Sequence, residues 1–254
     1  MRRLAVVPLV LRALSRRIAL LLLFALAFLA AATAARILTD TGDGHAELDT
    51  LFAFGGPTLA SAFLLTGWLV GRFPLIVTLV LMSGFFSQDR SDGTARVLLA
   101  RPGSPLALYG VRFALLALAA IALCSLVLPL FDVILLGHWA GPGTFALIAA
   151  NVLVYGGLVA LLSVWTRADA WLVLLLAILA MTWHALRSAD LLAALSPGGR
   201  EVVTFLLPPH GALFALESAF GQLQPVPWDA LAFAAGYGMV ALAIAAIALT
   251  SREI

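Results

Sequence analysis

Long uninterrupted apolar segments constrain this chain more than any other feature of its sequence. A helix needs roughly 20 apolar residues to cross about 30 Å of hydrocarbon. Five segments approach or exceed this length: 18–35, 106–130, 144–165, 170–186 and 228–249. Only 11% of the 254 residues are charged, whereas soluble domains carry about 25% charged residues. The sequence therefore predicts an all-α polytopic membrane protein with a single transmembrane domain over residues 1–254.

A sixth apolar segment, 51–87, is long enough for one crossing or two. Arginine-rich segments that flank membrane spans stay on the cytoplasmic side. Arginines concentrate before residue 18 and again in 90–112, whereas 36–50 carries four acidic residues and one arginine. Because both arginine-rich stretches belong on the same side, only one net crossing fits. We place the second span at 68–86 and residues 51–67 partly in the outer interface.

The resulting topology has six spans with both termini cytoplasmic, as expected for a bacterial inner-membrane protein. Arg72 and Pro74 fall near the outer third of the second span, where an arginine reaches the interface and a proline kinks a helix. Of the 15 basic residues, all arginine, this topology leaves four outside: Arg36, Arg72, Arg187 and Arg200. The asymmetry supports the assigned orientation.

The N-terminal segment 1–17 predicts an amphipathic helix in the inner interface, because Leu4, Val7 and Leu11 share one face and arginines occupy the other. The alternative is a secretory signal, in which Ala32-Thr33-Ala34 would supply the small-residue cleavage site. The apolar run is long for a signal core, which favours an interfacial helix followed by a span.

The outer segment 187–227 is unusually long, and prolines bound a short amphipathic stretch within it. Residues 211–223 place Leu213, Phe214 and Leu216 on an apolar face. Thirteen residues are too few to cross a membrane. The stretch predicts a helix that either dips into the outer leaflet as a re-entrant element or covers the surface, and the sequence leaves both open.

The polar loop 87–105 contrasts with the apolar segments on either side of it. Asp92 is a suitable N-cap for a short helix over 92–101, which Pro102 stops because the residue before a proline avoids helical geometry. Ser104 then caps a second helix with Pro105 at its first position. A helix as short as 92–101 does not persist alone in water, so its leucines need a surface on which to pack.

The same loop resembles a known family. Asp89-Arg90-Ser91-Asp92-Gly93-Thr94, followed by Leu98-Leu99, Pro102, Ser104 and Tyr109, resembles the E-R-E-x-G-T…L-L…P-[VLI]-[ST]-R segment between the second and third spans of ABC-2-type permeases. These are the membrane subunits of ATP-binding-cassette exporters. The C-terminal Thr250-Ser251-Arg252-Glu253-Ile254 resembles the family's F-x-R-R-[ED]-[IL] tail. Some similarity extends to the permeases that accompany nitrous-oxide reductase maturation.

The resemblance implies that 92–101 is a coupling helix, which docks in a cleft of a separate cytoplasmic ATPase subunit. It also implies a second permease chain, as a homodimer or heterodimer, with the first, second and fifth spans lining the path. The coupling residues that it implies are Asp89, Arg90, Asp92, Gly93, Thr94, Val97, Leu98, Leu99, Arg101 and Pro102. Asp89 stands where the family has glutamate, and Ser91-Asp92 shift the second acidic residue by one position.

The absence of lysine indicates that the energy for transport would come from another subunit. The chain lacks the lysine of a G-x-x-x-x-G-K-[ST] phosphate loop, so ATP would be bound by the partner subunit and this chain needs no cofactor of its own. It also lacks a G-x-S-x-G or H-E-x-x-H motif, which argues against an intramembrane enzyme. Membrane lipid is an expected partner and nucleic acid is not.

The alternative function is an ion- or proton-coupled secondary transporter, whose path intramembrane ionisable groups would mark. The candidates are Asp132, His184, Arg187 and Asp190, although each lies near a predicted outer end. Gly67-x-x-x-Gly71 is a candidate for close helix packing.

Overall fold

The structure, a computed structural model, describes residues 6–39, 71–93, 104–139, 141–221 and 224–251. Within these ranges most residues are helical and no strand occurs, which confirms the all-α prediction. The helices are α1 (Val6–Thr39), α2 (Phe73–Met82), α3 (Ser87–Ser91), α4 (Pro105–Leu136), α5 (Gly143–Ser163), α6 (Asp169–Ser188), α7 (Pro197–Leu206), α8 (His210–Gly221) and α9 (Trp228–Ser251).

Five of these helices, α1, α4, α5, α6 and α9, are long and apolar enough to cross a membrane. Each of the five apolar segments read from the sequence falls on one of them. The architecture is that of a multi-pass helical membrane protein.

The first span and the segment before it form one helix, which corrects the predicted division at residue 17. α1 runs without a break over 34 residues, a length of about 51 Å. The one proline within it, Pro8, lies among its first described residues.

The second span also differs from its prediction. Residues 68–70 lie outside the described ranges, and α2 ends at Met82 instead of Phe86. The chain turns at Gly84, whose φ of 72° is left-handed and costs glycine little. Pro74 lies in the first turn of α2, where its missing N–H costs no helical hydrogen bond.

α5 is the central helix of the bundle. It packs against α2, α4, α6, α8 and α9. Burial covers 67% of α5 but only 18–28% of the other four long helices. The residues around α5 therefore form the core, and the outer faces of the other helices expose leucine, isoleucine and phenylalanine. Cys124 is buried in this core, as its apolar surroundings in the sequence indicate.

The contact of α5 with α9 depends on small residues. Glycine and alanine let membrane helices approach closely, and van der Waals packing then drives their association. A Cβ atom on Gly157 would lie 2.7 Å from the carbonyl oxygen of Gly238, and one on Gly238 would lie 2.5 Å from that of Leu153. The buried face of α9 continues this pattern and consists of Ala230, Ala234, Gly238, Ala241, Ala245 and Leu249.

In the segment 187–227 the described residues form two helices that meet at a sharp bend. α7 and α8 are inclined at 76° to each other, and each is too short to span by itself. α8 coincides with the amphipathic stretch predicted at 211–223. It buries Leu213, Leu216 and Ala219 and packs against α5, α6 and α9. α8 is therefore part of the bundle and not a cap on its surface.

Two glycines on the same helix test the α5–α9 contact. We expect Gly238→Ala to lower the stability of the purified protein by about 1–3 kcal/mol, because the new methyl group overlaps backbone that cannot move aside. Gly236→Ala is the matched control, since a Cβ there meets nothing within 4 Å. Thermal unfolding in detergent measures both, and equal melting temperatures would contradict the close contact.

Candidate functional site

The predicted coupling residues lie partly within the described ranges. Asp89 and Arg90 are in α3, and Asp92 and Gly93 follow it. Thr94, Val97, Leu98, Leu99, Arg101 and Pro102 lie outside the described residues, as does most of the predicted helix 92–101.

Asp92 does not have its predicted role as an N-cap. It is the C-terminal cap residue of α3, and Gly93 after it has a left-handed φ of 71°. Glycine in this conformation is a common helix terminator, so the Asp92-Gly93 pair ends one short helix. Ser104 and Pro105 do begin α4 as predicted, although the Ser104 side chain makes no capping hydrogen bond.

Asp89 attaches α3 to the start of α4. Its carboxylate forms an ion pair with Arg112 and accepts a hydrogen bond from the Tyr109 hydroxyl at 3.3 Å. Phe85 and Phe86 meet the Tyr109 ring edge to face, with centroids 5.9 and 5.1 Å away. Polar and aromatic contacts therefore fix the same short segment against α4.

Arg90 and Asp169 attach the segment to the turn between α5 and α6. The Arg90 guanidinium donates to the carbonyl oxygen of Val164 at 2.7 Å. The Asp169 side chain accepts from the backbone N–H of Gly84 and from the Ser87 hydroxyl, each at 3.1 Å. Asp169 is only 1% exposed, so these donors replace the water that a buried carboxylate has lost.

Arg17 supplies the attachment to α1. Its guanidinium donates to the Ser83 carbonyl oxygen at 2.6 Å and to the Val80 and Leu81 carbonyl oxygens at 3.3 and 3.2 Å. It also donates to the side chain of Gln88 at 3.3 Å. The last carbonyl groups of a helix lack intrahelical donors and attract a cation, which is why an arginine fits the end of α2.

These contacts define a structural unit, which we call the clasp: residues 83–91 with Arg17, Tyr109, Arg112, Val164 and Asp169 around them. The clasp joins the ends of α2, α4, α5 and α6 to α1, which takes part through Arg17, at one end of the bundle, which we call the loop end. A displacement of residues 83–91 therefore acts on five helices together.

The opposite end of the bundle, the far end, has its own ion pairs. Arg72, at the start of α2, bonds to Glu217 of α8 at 2.6 Å, and their side chains are 14% and 29% exposed. The Glu217 carboxylate occupies the space that a side chain on Gly71 would need. Asn151, Tyr155 and His210 line the adjoining space. The absence of a side chain at Gly71 thus leaves room for the Glu217 carboxylate of this ion pair. Gly67, the other glycine of the predicted packing motif, lies outside the described residues.

α1 and α4 are also joined at the far end. The Arg36 guanidinium donates to the carbonyl oxygen of Val133 at 3.0 Å and to that of Ile134. Arg36 lies in the last turn of α1, and like Arg17 nearer the loop end it donates to backbone carbonyl oxygens of a neighbouring helix.

The four residues considered for a secondary transporter do not form one relay. Arg187 donates to Glu201 at 2.7 Å and to Thr204 at 2.9 Å, both on α7, and His184 packs against the His210 ring. Asp190 lies beyond the end of α6 with a φ of 55° and is exposed, while Asp132 is buried on α4. Among the described residues, no group of three or more histidine, cysteine or acidic residues has the arrangement of a metal site.

Comparison with known proteins adds no relative. No protein-family model, no curated protein and no solved structure matches the chain.

Two aspartates at the starts of apolar helices test the clasp. We expect Asp169→Ala to raise amide hydrogen exchange in residues 84–91, because the Gly84 N–H and the Ser87 hydroxyl lose their acceptor. Asp229→Ala is the control, since Asp229 lies in the first turn of α9 and is exposed. Mass spectrometry of the exchanged protein measures the segment; unchanged exchange in the Asp169 variant would show that the clasp does not restrain it.

Two glutamate–arginine pairs test the far end. We expect Glu217→Gln to lower the free energy of unfolding by about 2 kcal/mol, because the Arg72 charge is left without its counterion in a mostly buried place. Glu201→Gln should change it by less than about 1 kcal/mol, because exposed pairs contribute little and Glu201 is 68% exposed. Thermal unfolding compares the two, and similar losses would contradict the difference in burial.

Proposed function

We propose that this chain is the permease subunit of an ATP-binding-cassette exporter of the ABC-2 type, which works with a separate cytoplasmic ATPase and a second permease chain. The observation that carries the proposal is the clasp. A loop that only connects two spans needs no attachment to other helices, whereas residues 83–91 contact α1 and the ends of α4, α5 and α6 through charged and polar groups.

The distribution of arginines supports a cytoplasmic location for the loop end of the bundle. Arg17, Arg90 and Arg112 belong to the clasp, and Arg167 lies in the turn between α5 and α6. Positively charged segments stay cytoplasmic. In this orientation residues 92–101 face the cytoplasm, where a soluble ATPase can bind their leucines.

The mechanism follows from how the helices are joined. Closure of the ATPase around ATP would move residues 92–101, and the clasp would pass this movement to five helices. α5 contacts its neighbours closely and transmits the displacement as a rigid element. At the far end the Arg72–Glu217 pair joins α2 to α8, so a shift of α2 would also move the short outer helix. The path for the cargo would open between the two permease chains.

Paired leucines at opposite ends of the molecule test this proposal. We expect Leu98→Glu with Leu99→Glu to abolish copurification of an ATPase that carries a G-x-x-x-x-G-K-[ST] motif, because two charges would enter the apolar contact. Leu191→Glu with Leu195→Glu is the control, since both leucines are exposed in the turn after α6. The measurement is ATP hydrolysis and ATPase content of the complex purified from its own bacterium.

Two results would contradict the proposal. One is an ATPase that remains bound and stimulated in the Leu98 and Leu99 variant. The other is labelling from outside the cell of a single cysteine at Thr94, in a chain whose Cys124 is replaced by alanine. Transport that depends on an ion gradient and not on ATP would instead support the secondary transporter.

A further inference from the structure

A cavity of about 450 Å³ opens at the far end of the bundle. It lies between α6, α7, α8 and α9, and neither the clasp nor the proposed coupling to an ATPase uses it. Its volume is within the range of small-molecule sites, about 300–1,000 Å³.

The walls of the cavity change from polar to apolar with depth. Arg187, Ser188 and Thr204 line it, and the first two lie at the last turn of α6. Ala180 and Phe233 line it deeper, about 12 Å before the end of α6 and about 8 Å after the start of α9 at 1.5 Å per residue. Amphipathic groups bind membranes at this depth, about 5–10 Å into the boundary between headgroups and acyl chains.

The charge that faces the cavity is positive. Arg187 lines it, whereas no acidic residue is among the described residues that do. Glu201, the partner of Arg187, is 68% exposed and is not part of the lining. Gly211 and Ala212, in the first turn of α8, also line the cavity. The N–H groups of His210 and Leu213 donate to the carbonyl oxygens of Pro208 and Pro209, so the N–H groups of Gly211 and Ala212 are those that lack helical acceptors.

His210 is an independent indication of a ligand. It lines the cavity and is only 6% exposed. Its ring meets the His184 ring, with centroids 5.5 Å apart, but among the described residues neither of its ring nitrogens has a hydrogen-bond partner. Burial, aided by the charge of Arg72, lowers the pKa of His210 to about 4, so the ring is neutral at neutral pH and has one N–H to donate.

We propose that this cavity binds an anionic amphiphile, with its carboxylate or phosphate near Arg187 and His210 and its acyl chain along Ala180 and Phe233. The guanidinium, the imidazole N–H and the first turn of α8 supply the donors for the anion. The apolar wall supplies the surface for a single chain. The site does not depend on the proposed coupling to an ATPase.

Fluorescence of Trp183, which lines the cavity, reports binding. The probe is dodecanoate with a bromine on its last carbon, added to the purified protein in a neutral detergent. We expect saturable quenching that Trp183→Phe removes, which separates this signal from that of the other tryptophans. Dodecanol with the same bromine should bind at least about tenfold more weakly, because it lacks the charge that Arg187 recognises.

Three substitutions of charged residues distinguish binding at this site from unspecific attraction between the anionic probe and the protein. Arg187→Gln should raise the dissociation constant of the dodecanoate probe about tenfold. Glu201→Gln should leave it unchanged or lower it, because the guanidinium remains and loses its competing carboxylate. Arg200→Gln is the matched control, since Arg200 is on α7 but does not line the cavity, and it should have no effect.

Several results would overturn the proposal. They are equal losses of binding in the Arg187 and Arg200 variants, equal affinity for the dodecanol probe, or an unchanged dissociation constant in Ala212→Leu, whose larger side chain narrows the cavity beside the first turn of α8. The source of the natural ligand is a separate measurement. An acidic lipid that copurifies with the wild type and not with Arg187→Gln would identify the membrane as the source of the ligand. ATP-driven movement of the probe in proteoliposomes would instead identify the ligand as a transported molecule.

Discussion

The close contact between α5 and α9 is the constraint on which the rest of the bundle depends. In lipid there is no hydrophobic force between helices, so backbones must approach closely for van der Waals packing to stabilise them. Gly157 and Gly238 make this possible because each lies against backbone of the other helix. With α9 on one side, α5 is surrounded by α2, α4, α6 and α8, and this central position gives the other helices a common surface on which to pack.

Charged side chains, which are few in this sequence, are concentrated at the helix ends and paired there. At the loop end Arg17 binds carbonyl oxygens, Asp89 binds Arg112, and Asp169 binds backbone and hydroxyl donors. At the far end Arg72 binds Glu217. Charges are costly in a membrane unless they have partners, so each of these groups gains from fixing the distance between two helices. The apolar contacts give the bundle its core, and the polar contacts set how the helix ends are joined.

This arrangement gives the two ends of the bundle different functions in the proposed exporter. The clasp connects one short loop to five helices, which suits a place where force enters. The far end combines an ion pair, a sharply bent pair of helices and a cavity with a positive lining, which suits a place where a ligand is bound. α2 connects them, since its ends contact Arg17 and Glu217.

Much of the fold and part of the site follow from the sequence. The apolar segments determine the number and positions of the long helices, because a membrane requires about 20 apolar residues per span, and Ser104-Pro105 determine where α4 begins. The amphipathic pattern of 211–223 determines α8, and the excess of arginine at the loop end supports an orientation. These features depend on composition and local order along the chain, which need no knowledge of neighbouring helices.

Only the tertiary structure decided which residues meet. The spacing of small residues on α9 is visible in the sequence, but its partner Gly157 is not, because alanine and glycine occur throughout the chain. Arg72 and Glu217 are 145 positions apart, and Arg17 bonds to carbonyl groups, which every residue has. Asp92 has the residue type of an N-cap, yet it ends α3 because the clasp stabilises a helix over 87–91 that local propensity alone does not favour. Pairing across a bundle depends on helix positions and rotations, and those are set by all the contacts together.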